Sequence, residues 1–285
     1  MSKLLFSDAH LHVNPVKGFG TEKIAKKFKK EGGWFMAIVA LPPYYYNLVE
    51  PSVESYRRVL EIVTRDSLRA KEAGLRVSVF MGLHPAEVDH YYRHNIKGER
   101  AFQLAEEVFR ILEVAIKEGL IQGIGEVGRP HYSTSPEKFV LAEAIMMRAL
   151  TIAKDHDIPV QLHLEQGGFA TAYTVKFLVE KIGLRSEKIM LHHANLETSL
   201  WASRFNLASI APVKQFNEKY ASHRIPRCML ESDFLDDPQR PGVSAYPWEI
   251  PRTIKDHVAK GIMTEEEAFK IMVDNVTRYF GVEPP

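Results

Sequence analysis

The strongest constraint in this chain is an alternation. Eight short runs rich in Val, Ile, Leu and Phe recur along it: KLLFSDAH (3–10), WFMAIVAL (34–41), RVSVFMGL (76–83), IQGIGEV (121–127), PVQLHLE (159–165), KIMLHHA (188–194), LASIAPV (207–213) and CMLESDF (228–234). Runs this short and this continuously apolar suit strands buried on both faces, as in parallel sheets. Between them lie stretches with helical spacing: Glu22–Lys30, Val53–Glu72, Glu99–Glu118, Glu137–His156, Tyr173–Ile182 and Thr264–Tyr279. In the third of these, Phe102, Ala105, Phe109, Leu112 and Ile116 recur every three or four residues and form one apolar face. Ser135 before Pro136 reads as a helix cap, Gly183 as a stop, and the TEEE at Thr264 as a capping box. Strand and helix alternating eight times predict an α/β fold, a (β/α)8 TIM barrel. A doubly wound open sheet would show the same pattern with fewer units and a Gly-rich turn after the first strand, where this chain has DAHLHVN instead. No low-complexity or Ser/Gly-rich linker divides the 285 residues, so one domain over 1–285 is expected, large enough to bury a sizeable core.

Composition excludes several classes. Lys plus Arg is 37 and Asp plus Glu is 36, a balance unlike a constitutive DNA coater or a binder of anionic membranes, though it leaves room for a local basic groove. The single cysteine, Cys228, rules out an intramolecular disulfide and a cysteine zinc site, and its apolar surroundings read as a buried, inert thiol. No run approaches the roughly 20 apolar residues of a membrane span, and the opening MSKLLFSDAHLH is too short and too polar for a secretory signal. The expectation is a cytoplasmic protein, a monomer or a small homo-oligomer, with no membrane partner.

In a barrel of this type, chemistry sits at the C-terminal ends of the strands. The unusual residues fall there. The first run ends with His10 and His12, the third leads into His84, and the fourth ends at Glu126. The fifth ends with His163 and Glu165, the sixth with His192 and His193, the eighth with Glu231 and Asp233. One such residue is most often a local hydrogen-bonder; six strand ends of eight carrying them together point to a metal site. Residues two apart share a face of a strand, so His10 and His12 both face inward within reach of one ion. Asp8, one layer deeper, reads either as an acceptor that orients a histidine or as a structural hydrogen-bonder. Without a usable thiolate the donors suit Zn, Mn, Co, Fe(II) or Mg. Six protein ligands are too many for one ion with an open position and suit two ions sharing a carboxylate, for which Glu126 is the natural bridge.

The series SDAHLH, GLHP, GEVG, VQLHLE, LHHANLE and LESDF, in that order, resembles the TatD-related metal-dependent hydrolases of the amidohydrolase superfamily, and their archaeal branch above all. The resemblance runs from the first strand to DNVTRYFGV. It implies that His10, His12 and Asp233 hold one ion, that Glu126 bridges, and that His163 with His193 hold the second, His192 being the fallback. It implies that His84 contacts a substrate phosphate. Two departures stand out. Bacterial nuclease members continue GEIGLD, whereas Gly128-Arg129-Pro130 lacks that acid, and the sixth run lacks the HxF form of the bacterial deoxyribonucleases.

The implied mechanism is hydrolysis by a metal-bound hydroxide, with two divalent ions (Zn, Mn or Mg), Asp233 as general base, and His84 and Arg129 on the phosphate. The substrate expected is a phosphodiester, with single-stranded DNA as the nucleic-acid partner. Two alternatives remain: hydrolysis of a small amide, lactone or phosphate ester on the same scaffold, and a non-catalytic metal-binding barrel. Arg129 reads equally as a loop arginine paired with an acid. Lys17, Lys23, Lys26, Lys27, Lys29 and Lys30 read as a solvated face or a nucleic-acid contact. Tyr44–Tyr46 and the Pro-rich DDPQRPGVSAYPWEIP stretch are expected on the rim of the site, the former to stack on a substrate or pack as a lid.

Overall fold

Eight parallel strands, each followed by helix, are found among the residues that the computed structural model describes, 4–240 and 243–285. Lys3 at the head of the first run and Pro241 and Gly242 in the Pro-rich stretch lie outside the described residues. The order is β1 (Phe6–Leu11), α1 (Thr21–Lys30), β2 (Gly33–Val39), α2 (Val53–Glu72), β3 (Arg76–Phe80), α3 (Ala86–Arg93), α4 (Gly98–Lys117), β4 (Ile124–Gly128), α5 (Pro136–His156), β5 (Val160–His163), α6 (Phe169–Ile182), β6 (Ile189–Leu191), α7 (Leu196–Arg204), β7 (Ala208–Pro212), α8 (Glu218–Ser222), β8 (Cys228–Glu231), α9 (Glu249–Ala259), α10 (Glu265–Phe269) and α11 (Asn275–Phe280). Strands β1 to β3 pair in sequence order, as do β4 to β8.

Two seams close the sheets into a ring. At the first, Phe80 bridges Gly123, and Gly125 N donates to Met81 O at 3.3 Å. At the second, His12 bridges Leu235, His12 N donates to Phe234 O at 2.8 Å, and Asp233 N donates to His10 O at 3.1 Å. Asp8 reinforces this second seam: its carboxylate accepts from Ser232 N (3.0 Å) and Ser232 Oγ (2.5 Å). Asp8 is therefore the structural member of the two readings open for it. Burial raises its pKa to about 7 against those donors.

The strands are buried as a barrel wall requires: Phe35, Ile38, Phe80, Ile124, Leu162, Met190 and Met229 are all shielded from solvent. The helices cover them through apolar faces, Ala105, Phe109 and Leu112 on α4 among them. Local signals set several boundaries. Thr264 and Glu267 form the expected capping box, and Gly183 in the left-handed region ends α6. The Ser135 side chain makes no capping bond, so Pro136 alone marks the start of α5. The expected helix over Thr264–Tyr279 is broken into α10 and α11 by a π-helical turn at Lys270–Asp274. Helix α9 occupies what reads in sequence as the end of a Pro-rich loop, with Pro251 tolerated in its first turn.

Among the described residues no helix is long and apolar enough to cross a membrane. Three of the basic residues of α1 have local partners: Lys26 pairs with Glu22 at 2.6 Å, Lys29 donates to Gly74 O, and Lys27 sits 3.5 Å over the Trp248 ring.

Candidate metal centre

The second seam places β1 and the end of β8 side by side, and the site grows from there. His10 Nε2 and His12 Nε2 lie 3.2 Å apart, at 3.2 and 3.0 Å from Glu126 Oε1. Asp233 Oδ1 stands 4.0 Å from His10 Nε2 and 3.7 Å from His12 Nε2. Four donors held about 2.1 Å from one ion in a tetrahedron stand about 3.4 Å from one another. The spacing of these four groups brackets that value.

The rings are aimed by the nitrogens on their far sides. His12 Nδ1 donates to Val39 O at 2.9 Å, and His10 Nδ1 bonds the Gln161 side-chain oxygen. Each bond places the proton on Nδ1 and leaves the Nε2 lone pair facing Glu126. Gln161 is anchored in turn by donating to Ala9 O at 3.1 Å. It escapes a search for titratable residues, although its spacing two before His163 puts it on the same face of β5.

Glu126 divides its oxygens. Oε1 faces His10 and His12, while Oε2 lies 2.7 Å from His163 Nδ1, 3.4 Å from His84 Nε2 and 3.8 Å from His192 Nε2. The two motif glycines make this close packing feasible. A Cβ at Gly128 would meet His163 O at 1.8 Å, and one at Gly82 would meet Glu126 O at 2.5 Å. His84 accepts from Ala86 N at its Nδ1 (3.1 Å), so its Nε2–H points at Glu126.

The sixth strand departs from expectation. Alternation along a strand would turn only one of His192 and His193 inward, but β6 stops at Leu191. His193 takes φ 42°, a left-handed conformation that turns the chain, and both imidazoles reach the site. His192 stacks on His10 with centroids 3.7 Å apart, its Nδ1 2.7 Å from Glu231 Oε2 and its Nε2 4.0 Å from Asp233 Oδ1. His193 turns the other way, toward His163 and toward His131. Ring nitrogens of His131, His163 and His193 all lie within 4.8 Å of one another. His131, on the loop after β4, carries no motif signal beyond its place at the C-terminal mouth and is missed from sequence.

Arg129 is not where substrate binding needs it. Its guanidinium is 5% exposed and forks onto Glu165 (Nε–Oε2 2.9 Å, Nη2–Oε1 2.6 Å), with Glu143 at 3.3 Å and Thr174 Oγ1 at 3.2 Å. The expectation of a phosphate-binding arginine is thus corrected: its donors are engaged by carboxylates. Lys214 is a cation that does line the mouth, in a cavity of about 300 Å³ with His131, His163, His193, Asp233 and Ser244. The tyrosine triplet is only partly on the rim. Tyr46 is buried and bonds Val13 O, whereas Tyr45 OH accepts from Arg240 of the β8–α9 loop at 3.0 Å.

The protonation states suit cations. Burial, together with neighbouring imidazoles, lowers His84 and His193 to about 3 and lowers His131 and His192 as well. Burial alone would raise Glu126, but the surrounding histidines outweigh it and hold the carboxyl well below its usual range. Neutral imidazole and ionised carboxylate are the ligating forms. Moreover, among the described residues His163 Nε2 and His193 Nε2 are buried with no hydrogen-bond partner, a cost that a bound cation would remove. On these two grounds the residues fit divalent metal ions.

Comparison with known proteins gives a consistent answer. The sequence profile of the family described as TatD related DNase matches residues 7–281. An uncharacterized protein of Methanocaldococcus jannaschii is 28% identical over 283 residues, 99% of this chain and 98% of that protein. Among solved structures, the TatD-like protein of Archaeoglobus fulgidus superposes with a TM-score of 0.67 at 20% identity, covering 97% of this chain and 100% of that one. A mutant organophosphorus hydrolase from Deinococcus radiodurans gives 0.62 at 15% identity over 98% and 94% of the two chains. A mutant of a PTE-like lactonase from the same organism gives 0.60 at 13% over 98% and 97%. At these identities the solved structures speak to the fold.

Proposed function

The chain belongs to the TatD related DNase family, and from that premise we propose that this metal-dependent hydrolase cleaves phosphodiester bonds with two divalent ions in the site. The observation that carries the reading is the division of Glu126, one oxygen toward His10 and His12 and the other toward His163 and His84. That is the arrangement a carboxylate needs in order to bridge. His10, His12 and Asp233 would hold one ion, His163 and His193 the other, with Glu126 shared. Ions held there would lower the pKa of a water to near neutrality and draw charge from a non-bridging phosphoryl oxygen.

The remaining work falls to side chains. Asp233 is the acid of the cluster that meets solvent, with its side chain 37% exposed, and it accepts the proton of the attacking water. The Gln161 side-chain oxygen and the Val39 carbonyl hold the Nδ1 protons of His10 and His12 and aim their Nε2 lone pairs at the cation position, which leaves the base role to Asp233. His84, neutral and with its Nε2–H beside Glu126 Oε2 at 3.4 Å, would turn that donor to a phosphoryl oxygen when the carboxylate is engaged by cations. Lys214 adds positive charge to the cavity wall.

A second reading keeps the same chemistry on a small ester or lactone. It is favoured by a cavity of about 300 Å³, at the small end of the range for small-molecule pockets. One assay separates the two: metal-loaded protein is offered single-stranded DNA, bis(p-nitrophenyl) phosphate and a panel of lactones. The phosphodiesterase reading expects turnover of the first two, abolished by Asp233→Asn. Lactone turnover alone would replace it with the second reading, and no turnover of any substrate with zinc, manganese or magnesium would sink both.

A further inference from the structure

We propose that His131 is a third imidazole ligand at the second cation position, which makes that position select zinc-like ions over magnesium. The inference rests on the metal-dependent reading above and adds a residue and a selectivity to it. His131 follows β4 on the loop into α5 and is exposed at the mouth. Its ring centroid lies 4.7 Å from that of His163 and 5.2 Å from that of His193, and each of the three offers a ring nitrogen within 4.8 Å of the others. Independently of that spacing, His163 Nε2 and His193 Nε2 are buried and unpartnered among the described residues, His163 being 7% exposed overall. Two buried imidazole nitrogens without partners, beside a third ring, form an incomplete shell that a cation completes.

The backbone is arranged to present them. His193 occupies the left-handed region, which a non-glycine residue adopts at some cost, and Glu231 Oε1 accepts its N–H at 2.9 Å to hold the turn. His163 contacts Glu126 Oε2 through Nδ1, so the corner adjoins the bridging carboxylate. The donor census then differs between the two positions. His10, His12, Glu126 and Asp233 give nitrogen and oxygen in equal number. The second corner gives three nitrogens, and Glu126, the carboxylate that adjoins it, touches His163 through Nδ1. Imidazole-rich sets favour zinc, cobalt and nickel, whereas magnesium requires oxygen ligands in a near-octahedral shell.

The test is metal binding, read without turnover. Full-length metal-free protein is titrated with Zn2+ by calorimetry, with metal content checked after gel filtration. Co2+ absorption reports the ligand field in parallel. Wild type is expected to take two equivalents that millimolar Mg2+ does not displace. His131→Ala, whose exposed side chain leaves the core intact, should keep the tighter equivalent and weaken the other at least about tenfold, a lower bound set by the effect of losing outer partners alone. Its visible Co2+ band should shift, and His193→Ala should weaken the same equivalent. Wild-type affinity and an unchanged Co2+ spectrum in His131→Ala would overturn the assignment, as would displacement of the second zinc by Mg2+. A wild type that holds one ion overturns it together with the two-ion part of the proposed function, while metal-dependent hydrolysis itself stands; one that holds none overturns both.

Discussion

Replacing Gln161 by leucine should weaken the first cation without unfolding the barrel. His10 is fully buried, with its ring stacked on His192, so its Nδ1 has no route to water and depends on the Gln161 oxygen. A neutral imidazole has two tautomers, and this bond selects the one whose Nε2 lone pair faces Glu126. Leucine fills similar volume but accepts nothing. The ligating tautomer then loses a hydrogen bond worth about 1 kcal/mol and leaves a buried N–H unpaired at about 1–3 kcal/mol. Together that is about 2–4 kcal/mol, or roughly 30- to 1,000-fold in affinity. Ala9 O also loses its donor, so the metal-free protein should melt a few degrees lower. Zinc affinity is measured by competition with a chromophoric chelator, and melting by calorimetry on metal-free samples. Gln161→Glu keeps the acceptor and should bind zinc at least as tightly as wild type. A leucine variant within twofold of wild-type affinity would refute the reasoning, and a glutamate variant as weak as leucine would transfer the effect from hydrogen bonding to packing.

Arg129→Met should cost stability rather than substrate affinity, because it strands Glu165. With that carboxylate about one-third exposed, the loss is on the order of 2 kcal/mol in urea denaturation, with KM unchanged within twofold; a large rise in KM at constant stability would restore the phosphate-binding role. Glu87 governs a pH dependence: burial pushes its carboxyl up to about 8 despite donation from Tyr56 and from His84 N. The folded protein therefore binds this proton more tightly than the unfolded chain, so stability is lost as pH rises from about 4.5 to about 8 and is level above that, on the order of 4 kcal/mol in all. Glu87→Gln should flatten that fall between pH 5 and pH 8, and an unchanged slope in paired denaturation curves would remove Glu87 as its source.

The alternation of apolar runs made the barrel readable, because strands buried on both faces cannot disguise themselves with polar residues. The ends of those runs were harder. KIMLHHA looks continuous, yet its strand is three residues long and the two histidines lie in the turn beyond it. A period of two has no force once φ changes sign at His193. Short helices such as Ala86–Arg93 and Glu218–Ser222 span too few turns to show a period of 3.6. Arg129 is ambiguous because its partners, Glu165 and Glu143, come from the loop after the neighbouring strand β5 and from a face of α5, which only the packing of that β-α-β unit brings together. Gln161 and His131 share a different cause. His131 belongs to no motif and Gln161 sits in VQLHLE as a non-titratable residue; the importance of both lies in which imidazole nitrogen faces which neighbour, a property of ring orientation that residue spacing does not encode.

Ring orientation also explains how one carboxylate can organise so many histidines. Protonated imidazoles at these separations would repel one another, and burial withdraws the solvent that would screen them. His84, His131, His192 and His193 accordingly go neutral, while His12 moves the other way: burial would lower it, but Glu126 and Asp233 raise it. The rings that stay neutral are spread around Glu126, whose negative charge is the fixed point of the cluster. A dication entering there meets lone pairs already directed and gives up little to deprotonation, except at His12. The barrel supplies this arrangement through its two seams, since only closure brings β1 against β8 and β3 against β4. The same closure that removes the sheet edges thus assembles the ligands, with His10 and His12 on one side of the second seam and Asp233 on the other.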